Sequence, residues 1–192
     1  MRIVLLGAPG SGKDTLAETF KQEYNYTILS PGEIYRKQAR DKTELGIKAR
    51  DEYWGKGLLC PDELTNELVK NTIGGLNEKE LFNTIFNGYP RSFAQAEFLS
   101  KLVNIPMAID LIVSEEIAIG RLLKRGRIDD TEDVIRRRFK EYEEKTKPVS
   151  NFYRNHGMST YITIDADDTP RAIFEEAFGY VIENITSYGL GY

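Results

Sequence analysis

Apolar residues in this chain come in short runs separated by longer amphipathic stretches. The runs Arg2–Leu6, Thr27–Ser30, Asn83–Asn87, Ala108–Val113 and Tyr161–Ile164 are rich in β-branched and aromatic side chains, and several stop at Gly, Pro or Asp. They predict five strands. Between them, Lys13–Tyr24, Asp62–Ile73, Phe93–Leu102 and Thr131–Tyr153 carry apolar positions at helical spacing and predict helices. Alternation of strand and helix predicts an α/β fold, a parallel sheet covered on both faces. Such folds bind ligands beyond the carboxyl ends of the strands. Residues 31–61 break the alternation with charged, helical sequence and the glycines Gly55 and Gly57, and predict a small, mobile insertion.

The first strand runs straight into GAPGSGKDT, Gly7 to Thr15. A Gly-rich turn between strand and helix aims consecutive backbone N–H groups at one point. The helix N-terminus adds partial positive charge and Lys13 a full one, which together suit phosphate. The glycines at 7, 10 and 12 do not fit a dinucleotide fingerprint, and that fold has no use for Lys13. The loop departs from the usual phosphate-loop spacing in one place. Asp14 follows the lysine, and Thr15 comes one step late.

Composition narrows the class. At 192 residues the chain is long enough for one domain with a core of its own. A net charge of −4, from 26 basic and 30 acidic residues, gives no basic excess for nucleic acid or an anionic membrane surface. No apolar run approaches the length of a membrane span or a signal segment. Cys60 is the only cysteine and His156 the only histidine, so no internal disulfide and no zinc knuckle is expected. His156 reads as a helix-end surface residue. A cytoplasmic enzyme or binding domain is the expectation.

Four further stretches join the loop in order: LSPGEIYR (29–36), GLLCPDEL (57–64), NGYPRSFAQA (87–96) and RLLKRGRIDDTEDVIRRRFKEY (121–142), the last expected to open the long C-terminal helix. With GAPGSGKDT they resemble the nucleoside monophosphate kinases, adenylate kinase above all, collinearly from Met1 to about Phe178. The resemblance implies a phosphate-loop (P-loop) nucleotide-hydrolase-like fold with a central five-stranded parallel sheet, and transfer of a phosphoryl group from Mg-ATP to AMP. It divides the chain into a core, 1–30 and 62–192, and an acceptor-binding insertion, 31–61. It implies that Gly10, Ser11, Gly12, Lys13, Asp14, Thr15, Arg121, Arg125 and Asp168 hold ATP. It implies that Pro31, Gly32, Arg36, Leu58, Leu59, Cys60, Gly88, Tyr89, Arg91, Gln95, Arg127 and Arg138 hold AMP. Lys13, Arg91, Arg121, Arg125, Arg127 and Arg138 are the implied catalytic residues. Phosphoryl transfer is alignment plus neutralisation of charge, and arginine grips phosphate with a planar fork that never loses its charge. Gln95 matches the glutamine that reads adenine. Cys60 reads as packing rather than as a nucleophile. Arg136 and Arg137 read as a solvated helix face. Asp130 with Asp133 reads as a helix N-cap, whereas Asp129 reads equally well as a cap or as an orienter of an arginine. The remaining readings are a UMP/CMP-type or broad-specificity kinase and a non-catalytic nucleotide sensor.

The sequence departs from the family pattern in three places. Arg125-Gly126-Arg127 leaves one residue where members carry a mobile lid, so the lid reduces to a turn at 125–128. A second subunit is then expected to cover ATP, with the aromatic tail 187–192 as a candidate contact. Asp14 stands where the family has glycine, and Asn87 where it has aspartate near the magnesium. Two readings are open for Asp14: the acidic group of the metal site has moved to the loop, or Asp14 only favours a helix N-terminus. Pro31 replaces a hydrogen-bonding residue, which leaves base selection to Gln95 and the backbone.

Overall fold

The structure is a computed structural model and describes residues 1–155 and 159–187, without the side chain of Ser187. Five strands, β1 (Ile3–Gly7), β2 (Thr27–Leu29), β3 (Thr84–Asn87), β4 (Met107–Ile112) and β5 (Thr160–Asp165), form one parallel sheet in the order β2-β3-β1-β4-β5. All five predicted strands are present, with no end shifted by more than one residue. β1 is central and wholly buried because its side chains alternate between two apolar layers. Ile3 and Leu5 join Phe20, Met107, Ile109, Leu111 and Phe174 on one face. Val4 and Leu6 join Phe86, Leu99, Ala108 and Phe152 on the other.

The helices are α1 (Lys13–Tyr24), α2 (Pro31–Arg40), α3 (Glu44–Glu52), α4 (Asp62–Gly74), α5 (Glu78–Phe82), α6 (Phe93–Leu102), α7 (Glu115–Arg125), α8 (Glu132–Glu141), α9 (Val149–Asn155) and α10 (Pro170–Ser187). A 3-10 turn, Trp54–Lys56, closes the insertion. The long helix expected over 131–153 is corrected to three pieces: α8, a π-helical stretch Tyr142–Thr146, and α9 after Pro148. Nor does 121–142 open it in one sweep, because α7 ends at Gly126, whose φ of +64° suits a left-handed cap. Helices α5 and α10, and the part of α7 before Arg121, are not among the helices the pattern predicts. His156 and residues 188–192 lie outside the described residues. No helix among the described residues is long and apolar enough to cross a membrane.

β1 and β3 point their carboxyl ends at one cavity, and the loops that follow these strands supply its floor. Helix α2, the 3-10 turn and residues 57–59 of the insertion form one wall. Helices α7 and α8 form the other.

Candidate active site

The phosphate loop links β1 to α1. Gly10 has φ +82°, and a Cβ there would lie 2.5 Å from the carbonyl oxygen of Ala118, so only glycine lets the loop press against α7. Gly12 caps α1 in the left-handed region and offers no side chain to its first-turn N–H groups. Those groups are left to an anion. Lys13 Nζ donates to the carbonyls of Gly7 and Ala8 at 2.7 Å and to Ser11 Oγ at 3.1 Å. Desolvation, and then the nearby Arg91 charge, pull its ammonium down to about 8, against the pull of Asp14 and Asp110.

Loop, insertion, and helices α7 and α8 enclose a cavity of about 530 Å³. Seven cations line it, Lys13, Arg36, Arg91, Arg121, Arg125, Arg127 and Arg138, against three carboxylates, Asp14, Glu141 and Asp168. The arginines are held by specific anchors. Arg121 donates to the Ala166 carbonyl at 2.7 Å. Arg125 grips Asp130 through two nitrogens at 2.8 and 2.9 Å. Arg138 bonds Asp130 at 2.9 Å and also Asp129. The backbone N–H of Arg127 donates to Asp130 at 3.1 Å, while its guanidinium bridges Asp14 and Glu33, each at 3.0 Å. Burial, and then the neighbouring Arg125 and Arg36 charges, lower Arg138 to about 10 despite its two carboxylates. The cluster is thus short of negative charge, which is what a polyphosphate supplies.

Asp130 is corrected here from N-cap to counter-ion: Thr131 holds the cap position, and the Asp130 side chain is wholly buried among arginines. Of the two readings of Asp129, the structure selects the arginine partner. Arg136, paired with Glu132 on a well-exposed face, is solvated as expected.

A second group of cavity residues follows β3. Arg91 Nε donates to the Gly88 carbonyl at 2.7 Å, its backbone N–H donates to Gln95 Oε1 at 2.7 Å, and its carbonyl accepts from Thr146 Oγ1 at 3.0 Å. Arg36 is steadied by Glu33 at 2.7 Å. Gly32, Leu58, Leu59 and Gly88 line the cavity with them, as do Gly10, Gly12, Asp14, Thr15 and Asp168 toward the loop.

Five expected residues do not line it. Ser11 is buried beneath the loop. Pro31 is buried in the first turn of α2, where its fixed φ suits a helix start. Tyr89 is fully buried, and its hydroxyl donates to Asn66 at 2.6 Å. The Cys60 thiol is pushed up to about 11 by burial, which fits packing and not nucleophilic chemistry. Gln95 is 2% exposed, and its amide is committed: Oε1 to the Arg91 N–H, Nε2 to Asp62 Oδ1 at 2.7 Å. A carboxylate only accepts, so Asp62 fixes which way that amide points. Conversely, Trp54, Glu141, Tyr142 and Thr146 line the cavity without having been expected. The last two lie in the π-helical stretch, which helical periodicity does not reveal.

Fold and cavity together define a phosphate-loop kinase of the nucleoside monophosphate class. The adenylate kinase family model matches residues 5–158. The chain is 37% identical over 182 residues to an adenylate kinase of Mycobacterium tuberculosis, covering 92% of this chain and 97% of that one. It is 41% identical over 160 residues to an adenylate kinase of Mycolicibacterium smegmatis, covering 81% and 87%. It is 38% identical over 170 residues to one of Prochlorococcus marinus, covering 86% and 91%. The chain belongs to the adenylate kinase family and is a phosphotransferase.

Proposed function

We propose that this chain transfers the γ-phosphoryl group of ATP to AMP, reversibly, giving two ADP, in the cytoplasm. One observation carries the reading: a single cavity is lined both by the phosphate loop with Lys13 and by five arginines from other elements, Arg36, Arg91, Arg125, Arg127 and Arg138. ATP lies with its phosphates on the loop amides and Lys13, and its nucleoside end toward Arg121 and Asp168. The acceptor phosphate sits on Arg36 and Arg91. Its base rests on Leu58 and Leu59, beside Trp54. Holding both phosphates in line turns a two-substrate reaction into a positioned one. Arg125, Arg127 and Arg138 neutralise charge on the transferring group, which has little covalent help to gain.

Mg²⁺ bound to the ATP phosphates supplies further neutralisation. The residues present fit it, because Asp14 brings a half-exposed carboxylate to the cavity wall, aimed by Asn87 Nδ2 at 2.8 Å. The proposal includes a turn at 125–128 in place of a lid. It also includes a second subunit over the donor side, where Ile128 is 93% exposed and Leu123 52%. A strict monomer in sedimentation with ordinary ATP affinity contradicts that cover.

Calorimetry tests the two-nucleotide cavity. ATP and AMP are expected to bind together, one of each per chain, and Arg91→Ala to lose AMP while keeping ATP. Competition of the two nucleotides for one place would contradict it.

A further inference from the structure

Asp14 and Asn87 come from different elements, the first turn of α1 and the end of β3, and meet in the cavity wall. Asn87 Nδ2 donates to Asp14 Oδ1 at 2.8 Å. Because a carboxylate cannot donate, this bond fixes the Asn87 amide with its carbonyl oxygen turned away. That oxygen is buried and has no partner, in a residue only 4% exposed. The amide is thus fixed by burial, and its N–H group aims the Asp14 carboxylate. Asp14 keeps a half-exposed side chain that faces Arg127 at 3.0 Å and Arg125 at 3.8 Å. Its carboxylate is thus held between an amide N–H and two guanidinium groups.

We propose that Asp14 is a ligand for the divalent cation that accompanies ATP, its carboxylate contacting the ion directly and Asn87 Nδ2 aiming that carboxylate. This rests on the ATP-binding reading above. Position 14, directly after the phosphate-loop lysine, is where such loops set the hydroxyl that touches Mg²⁺. Carboxylate oxygens are hard donors, and Mg²⁺ commonly takes one or two carboxylates with phosphate oxygens and water. The ion then shares its ligands between protein and nucleotide phosphate. The surrounding charges make the coupling strong. A triphosphate competes with Asp14 for Arg125 and Arg127. Once it takes them, the carboxylate stands beside a like charge with its counter-ions gone, and a divalent cation restores neutrality.

The test is the thermodynamic coupling between Mg²⁺ and ATP, measured by calorimetry on the full chain without acceptor. It compares ATP affinity in a chelator with ATP affinity in saturating Mg²⁺. In Asp14→Asn, which keeps an acceptor for Asn87, ATP without metal is expected to bind more tightly, because a like charge is gone. Mg-ATP is expected to bind more weakly, so the coupling falls about tenfold. Asn87→Ala is expected to lower the coupling by less. Asp14→Cys is expected to move cation preference from Mg²⁺ toward Cd²⁺, since thiolate is a soft ligand. The unaltered chain, which retains Cys60, is the control. If Asp14→Asn tightens ATP equally with and without Mg²⁺, Asp14 acts only by repulsion and is no ligand. Failure of the unaltered chain to bind ATP would instead sink the phosphotransfer reading.

Discussion

Asp130 holds three arginines at once, two through their guanidinium groups and one through its backbone N–H. Removing its charge leaves buried cations that repel one another. Asp130→Asn is therefore expected to lower kcat/KM by a hundredfold or more and to cost about 3 kcal/mol of stability, read by kinetics and urea unfolding. Full activity in this variant would show that the cluster needs no counter-ion. Lys13 gives a second prediction. Phosphate binds its charged form, and burial lowers the ammonium to about 8 in the free protein. ATP affinity is expected to fall as pH rises through about 8, with proton uptake on binding above that pH. Folding stability carries the opposite sign. The unfolded lysine keeps its proton to about 10.4, so between about 8 and that value the unfolded state binds more protons and this group's contribution rises with pH. The arginines were legible in the sequence because the chemistry demands that residue type. Asp130 was not, because an Asp ahead of Thr-Glu-Asp looks the same whether it caps a helix or pairs with cations. The reading of Gln95 assumed a free amide, and only the fold shows Asp62 beside it.

At the scale of elements, the insertion rests directly on α8. Gly57 has φ +79°, and a Cβ there would lie 2.7 Å from the Val134 carbonyl oxygen and 3.2 Å from Arg137 Cβ. Glu33 of α2 bonds Arg127 across the same gap at 3.0 Å. Gly57 and Arg127 both line the cavity, so the insertion and the segment around Arg127 meet at its wall. Gly57→Ala combines a strained φ with a backbone clash, at about 1–2 kcal/mol for the left-handed region alone. It is expected to loosen the insertion, to raise the KM for AMP severalfold, and to change the emission of Trp54, the only tryptophan, three residues away. An unchanged spectrum and KM would mean that the contact does no work in acceptor binding. The alternation of strand and helix was legible because a parallel sheet needs apolar strands between amphipathic helices. The break at Tyr142 was not. A π-helical turn keeps helical composition while shifting which face meets the cavity, and Tyr142 and Thr146 reach the site through that shift.

For the molecule as a whole, the loop stands on an aromatic cluster. Phe20 of α1 meets Phe174 of α10 edge to face at 5.1 Å and Tyr26 at 5.3 Å, and Phe174 stacks on Phe178 at 5.7 Å. Phe20→Ala is expected to cost about 3–5 kcal/mol and to lower the melting temperature, because the space it leaves lies between α1 and the sheet. Loss of anchoring for α1 is expected to weaken ATP more than AMP, which separates this effect from general unfolding. Equal weakening of both nucleotides would contradict a local anchor.

Two nucleotides exchange a phosphoryl group in one arginine-lined cavity. The most direct measurement is ADP formation from ATP and AMP, with and without Mg²⁺, beside UMP, CMP and GMP as acceptors. Mg²⁺-dependent turnover, fastest with AMP, is the expected result. ATP binding without turnover on any acceptor would contradict the account and leave a nucleotide-binding module in its place.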